Sequence, residues 1–108
     1  MSSQNTEHRI FERNSYKTKV VFEDEFGDGM FYLYSENISM GGMLLDSFIP
    51  IRTGTMLLLS FNLPPKNNLV KVTGEVIRSL YPSRGMGIRF VGLTNDARDK
   101  LETFLLKP

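Results

Sequence analysis

Apolar and polar positions alternate with period two along most of this chain, and the alternation stops before the end. Tyr16–Phe22 (YKTKVVF) is rich in β-branched and aromatic residues and predicts a first strand. Met30–Tyr34 predicts a second, running on toward Ile38, and Met43–Asp46 a third. Thr55–Leu63 (TMLLLSFNL) is nearly continuous in apolar residues, which predicts a fourth strand in a central place. Leu69–Leu80 alternates most cleanly: Val70, Val72, Val76 and Leu80 share one parity, and Lys71, Thr73, Glu75 and Ser79 take the other. Gly74 inside that run predicts a bulge or a sharp bend. Met86–Val91 is a sixth strand, with Ile88 and Phe90 in phase.

Turn chemistry separates these runs. The acidic, glycine-containing segment 23–29, the Gly41-Gly42 pair, Ile49-Pro50, Thr53-Gly54, segment 64–68 and segment 82–85 all read as turns. After Val91 the period changes. Thr94 or Asn95 caps a helix, Asp96 suits its first turn, and Ala97, Leu101, Phe104 and Leu105 recur on one face. Arg98, Lys100 and Glu102 fall on the outer face. Residues 1–15 are polar apart from Ile10 and Phe11 and read as a flexible N-terminal arm. The domain reading is thus an arm over 1–15 and a β-domain over 16–108. Short, regularly spaced strands suit a small closed barrel, which removes exposed edges, with the helix over one opening or on the wall.

Composition narrows the chemistry. The chain has 108 residues, the length of one domain, and 41% are apolar, enough for a core. The net charge of +1 is too small for a protein that works on bulk DNA or RNA. With no cysteine, thiol catalysis, disulfides and cysteine metal sites are excluded, and His8 as the one histidine cannot build a histidine-rich metal site. No apolar run approaches the roughly 18 residues of a membrane span, and the polar start lacks a signal core. The expected location is the cytoplasm, without membrane insertion.

Two short patterns carry candidate chemistry. Arg9 and Arg13 form RxxxR on the arm. Arginine's planar fork matches guanine O6 and N7 and also phosphate, so two of them can grip a guanine nucleotide by edge and by charge. The plainer reading is a solvated arm whose arginines pair with Glu7 and Glu12. Asn37, Ser39 and Gly42 form NxSxxG. Their side chains can bond base edges or phosphate oxygens. On an extended strand Asn37 and Ser39 face one side, and Gly42 permits close approach of a ligand or a positive φ. The plainer reading is an ordinary strand-to-turn passage, which uses the same residue types.

In this order, on a β-rich domain, RxxxR followed by [D/N]xSxxG resembles the PilZ family. The run 38–45 (ISMGGMLL), the strand 74–78 (GEVIR), the strand 85–90 (GMGIRF) and the closing helix resemble that pattern too, from about His8 to Leu106. The resemblance implies a six-stranded antiparallel split barrel with a C-terminal helix and a flexible N-terminal arm. It implies a non-catalytic receptor for cyclic di-GMP, with no cofactor and no metal. Arg9 and Arg13 would contact guanine edges and phosphates from a switch arm, and Asn37, Ser39 and Gly42 would meet the other guanine on the barrel surface, with Gly41 beside them. Asn37 takes the amide where many members have a carboxylate, keeping an acceptor and losing a charge. His8 stands where the family sets whether one or two nucleotides bind. Ligand binding would rearrange the arm and signal in trans to a protein of motility, secretion or polysaccharide machinery.

Other readings stay in view. A PilZ-like adaptor that binds proteins but no nucleotide ranks second. A single-stranded nucleic-acid barrel would use Phe31, Tyr32 and Tyr34 for stacking, but Phe31 and Tyr32 face opposite sides and the net charge is low. An enzyme would need Ser39, His8 and Asp46 as a triad, which no spacing here supports. Arg78, Arg84 and Arg89 are either phosphate contacts or solvated wall charges.

Overall fold

Six antiparallel strands of this computed structural model close on themselves, which is how a domain of this length hides its strand edges. The structure describes residues 14–23, 26, 28–47, 50–64, 68–79 and 85–106. The elements are β1 (Asn14–Ser15), β2 (Lys19–Glu23), β3 (Gly29–Ile38), β4 (Gly42–Asp46), β5 (Met56–Leu63), β6 (Asn68–Ser79), β7 (Met86–Val91) and α1 (Asn95–Leu105). Around the ring, β3 pairs with β2, β2 with β5, β5 with β6, β6 with β7, β7 with β4, and β4 returns to β3. The barrel is therefore the expected one, and in a closed ring β5 is no more central than its neighbours. Its apolar run divides accordingly: Leu59, Phe61 and Leu63 are buried, while Met56 and Leu58 are exposed.

The seventh strand comes from the first run. The pattern predicts one strand over 16–22, but β2 begins at Lys19, and β1 pairs separately with the end of β3, Asn14 opposite Ile38 and Ser15 opposite Asn37. Asn14 and Ser15, read from sequence as the last of the arm, are thus part of the sheet. The interruption is geometric. Between the Ser15↔Asn37 and Lys19↔Tyr34 pairs, three residues stand opposite two, so the ladder cannot run through.

Alternation on β6 follows the sequence: Val70, Val72 and Val76 are buried and Lys71 is exposed. Leu80 and Arg84 lie outside the described residues. The bulge predicted at Gly74 is displaced. Gly74 pairs in regular register with Leu57 and Phe90, and the irregularity falls between Val76 and Arg78. Gly74 is small for another reason: a β-carbon there would stand 2.5 Å from Ile88 Cγ2 and 3.0 Å from Leu59 Cδ1.

Helix α1 starts where the sequence places it. Thr94 is the N-cap, its hydroxyl accepting from Ala97 N–H at 3.1 Å. Ala97, Leu101 and Leu105 are buried against β5 and β6, and Phe104 is half-buried. Lys100, assigned to the outer face, reaches back instead. Its ammonium donates to the Leu69 carbonyl at 2.8 Å and pairs with Asp96 at 2.9 Å. Among the described residues, no helix is long and apolar enough to cross a membrane.

Candidate functional site

The Asn37–Gly42 connection leaves β3 and enters β4 through a turn closed by its own serine. Ser39 N–H donates to the Gly42 carbonyl at 2.8 Å. Its hydroxyl accepts from Gly41 N–H at 3.2 Å and reaches the Gly42 carbonyl at 3.3 Å. Phe90 N–H on β7 donates to the Gly41 carbonyl at 2.8 Å, tying the turn to the neighbouring strand. Met40 is buried, so its side chain pins the loop from below. The turn forms a hydrogen-bonded ledge.

This assigns the motif residues distinct places. Asn37 is half-buried near the end of β3, held between Ser15 of β1 and Leu44 of β4. Ser39 is buried and its hydroxyl serves the turn. The strand-based expectation that Asn37 and Ser39 present their side chains alike therefore needs correction, because β3 ends at Ile38 and Ser39 already belongs to the turn. Gly42 does not take a positive φ; among the described residues Gly54, Gly85 and Gly92 do. Gly42 is small because β7 passes against it: a β-carbon would overlap the Ile88 carbonyl oxygen. Gly41 is exposed and its surroundings are open, with Ser39 Oγ at 4.0 Å as the nearest atom to such a β-carbon.

The structure brings two further features to this ledge. The first is the root of the arm. His8, Arg9 and Arg13 lie outside the described residues, but Asn14, the residue after Arg13, is paired with Ile38. The two residues that follow RxxxR in sequence, Asn14 and Ser15, thus lie alongside the strand that carries Asn37. The second is Arg89, whose backbone stands opposite Gly42 on one side and Glu75 on the other. Its exposed guanidinium is hydrogen-bonded and ion-paired to Glu75. Arg78 instead sits opposite Gly87, with an exposed side chain. Only strand register separates these two arginines, so the sequence offered no signal for the difference. Nothing in the sequence singles out Ser35 either, although it is buried at the point where the arm root joins β3.

The outer wall bears on the nucleic-acid reading. Phe31 turns inward and stacks on Phe22 at 4.5 Å. Tyr32 and Tyr34 are exposed, but they meet edge to face, 5.8 Å apart at 87°. Lys19 lies over the Tyr32 ring at 4.3 Å and Lys17 over Tyr34 at 5.2 Å. Bases stack on open ring faces; here an ammonium group lies over each exposed ring. Among the described residues, no group of three or more His, Cys, Asp or Glu side chains is placed to hold a metal ion.

Comparisons with known proteins agree with this architecture. The sequence profile of the PilZ domain matches residues 7–107. Among curated proteins, none matches the sequence. The fold is similar to that of the Bacillus subtilis inhibitor of motility (MotI/DgrA), with a TM-score of 0.69 and 19% identity, over 87% of this chain and 47% of that one. The chain thus spans about half that protein's length. It is also similar to the PilZ domain of CeSA from a cellulose-synthesizing bacterium, with a TM-score of 0.62 and 15% identity, over 88% of this chain and 95% of that domain.

Proposed function

This chain belongs to the PilZ family, and from that premise we propose that it is a non-catalytic receptor for cyclic di-GMP. The observation that supports the reading is the register of β1 on β3, which pairs Asn14 and Ser15, the residues that follow Arg13 in the chain, with Ile38 and Asn37. The ligand offers two phosphates and two guanines. The arm supplies the guanidinium forks for guanine edges and phosphates. The ledge supplies the amide of Asn37 and the exposed backbone of Gly41. Ser39 and Gly42 act by keeping the ledge in shape, and His8 sets whether one nucleotide binds or two.

Binding reorders the arm and needs no bond-breaking chemistry. Each ordered residue costs roughly 1–2 kcal/mol, while micromolar affinity corresponds to about 8 kcal/mol net. The arginines must therefore contribute strongly, on the order of 1–3 kcal/mol each. The rearranged surface is offered in trans, in the cytoplasm, to a protein of motility, secretion or polysaccharide machinery. The inhibitor-of-motility name of one structural neighbour and the cellulose-synthesizing source of the other fit two of these outlets.

One observation favours the nucleotide-free adaptor as a second reading: Ser39 and Gly42 already have complete structural tasks without a ligand. Titration calorimetry with cyclic di-GMP separates the two, run on the intact protein and on the Arg9→Ala/Arg13→Ala variant. Saturable binding that the variant loses supports the receptor, and its stoichiometry reports on His8. A folded protein that takes up no nucleotide leaves the adaptor.

A further inference from the structure

Ser35 occupies a position that the alternation of β3 reserves for an apolar side chain. Phe31, Leu33 and Ser35 share the inward parity, and Ser35 is buried. A buried hydroxyl is costly unless its hydrogen bonds are made. Here they are made to a segment of the chain just beyond the arm. Ser35 Oγ donates to the Tyr16 carbonyl at 2.6 Å and accepts from Thr18 N–H at 3.0 Å. Ser35 N–H donates to the Thr18 carbonyl at 3.0 Å, and the Glu36 carbonyl accepts from Tyr16 N–H at 3.1 Å. This is the stretch where three residues stand opposite two. The backbone of β3 cannot serve all the polar groups of Tyr16–Thr18, and the serine side chain supplies the missing partner. Packing secures the same segment too: the Tyr16 ring lies 4.8 Å from that of Phe104 on α1.

We propose that Ser35 is a positioning residue for nucleotide binding: its hydroxyl latches Tyr16–Thr18 to β3 and thereby sets where the arm bearing Arg13 leaves the barrel beside Asn37. The inference rests on the receptor reading above. Arg13 is three residues from Tyr16, and the two-residue Asn14–Ser15 ladder between them is too short to hold the root alone, so the latch on its far side secures it. With the latch intact, the root at Tyr16–Thr18 is fixed on β3 before the ligand arrives. Without it, the ligand must order that root, and ordering entropy is charged against affinity.

The test is cyclic di-GMP titration of the wild type, Ser35→Ala and a core control away from the ledge, Val72→Ala on β6 opposite Leu59, with thermal midpoints and backbone hydrogen exchange measured on each ligand-free protein. Ser35→Ala is expected to bind at least ten-fold more weakly (about 1.4 kcal/mol) and to exchange the Thr18 amide faster. Val72→Ala, which removes buried apolar volume and lowers the midpoint, is expected to bind within two-fold of wild type. If Ser35→Ala fails to fold, the near-isosteric Ser35→Cys takes its place, with the same direction expected from its weaker hydrogen bonding. A Ser35 variant that binds within two-fold of wild type overturns the inference, and so does an equal loss of affinity in Val72→Ala, since the effect is then general destabilisation. Absence of binding by the wild type sinks the receptor reading itself and this role with it, an outcome distinct from failure of the latch alone.

Discussion

The carbonyl of Ile88 occupies the space that a side chain on Gly42 would need. A β-carbon at Gly42 would overlap that oxygen and stand 3.0 Å from the Ile88 carbonyl carbon and 3.2 Å from Arg89 Cα. All three atoms are backbone of β7, paired to β4 in a closed barrel, so none can swing aside. Gly42→Ala is therefore expected to destabilise the fold by about 3 kcal/mol, at the upper end of overpacking costs. Gly41→Ala, next door in open space, should stay within about 1 kcal/mol of wild type. Urea unfolding of the two variants checks the contrast, and equal stability would contradict the packing account of the glycine.

Gly74 makes a milder case, because what crowds it is side chain. The Ile88 γ-methyl and the Leu59 δ-methyl can shift by small rotations, although both lie in a filled core. Gly74→Ala is expected to cost about 1–2 kcal/mol, less than Gly42→Ala in the same unfolding series. A larger loss at position 74 than at 42 would reverse the ranking and refute it.

Thr94 caps α1 through a single side-chain bond to Ala97 N–H. Thr94→Ala should lower stability by about 1 kcal/mol, which for a domain of this size shifts the thermal midpoint by roughly 4–8 °C. Calorimetric melting reads this directly. Thr94→Asp, which keeps an acceptor and adds a charge favourable to the helix N-terminus, should restore the midpoint.

Asn37 tests the ligand side of the ledge. Replacing its amide by a carboxylate strengthens acceptance from guanine N–H groups, since charge-assisted hydrogen bonds are about twice as strong as neutral ones. Asn37→Asp is expected to tighten cyclic di-GMP binding by about five- to ten-fold, near 1 kcal/mol, at pH 7 where an ordinary aspartate is ionised. Calorimetry on the variant reads the change, and unaltered affinity would remove Asn37 from the guanine contact.

Much of the architecture can be read without coordinates. Alternation on β6 and β7, the change of period after Val91 and the cap at Thr94 are local signals, carried by residues a few positions apart. They fail where a residue's task depends on a distant partner. Gly74 looks like a bend when read along its own strand, yet its smallness serves Ile88 and Leu59. The first strand looks continuous from Tyr16, yet it breaks because its partner offers two residues for three. Lys100 looks like an outer-face charge, yet it reaches the Leu69 carbonyl.

The candidate site divides along the same line. Residue types and their order brought Arg9, Arg13, Asn37, Ser39 and Gly42 forward, because arginine forks, amides and turn formers have chemistry legible in any context. Only the tertiary structure could decide that Ser39 closes a turn, that Gly42 makes room for a β7 carbonyl, that Arg89 stands across from that turn, and that Ser35 holds the root of the arm. The first depends on where β3 stops, and the other three depend on the register between separate strands of the chain. Register emerges when the whole ring closes and packs its core, and no local run of residues specifies it.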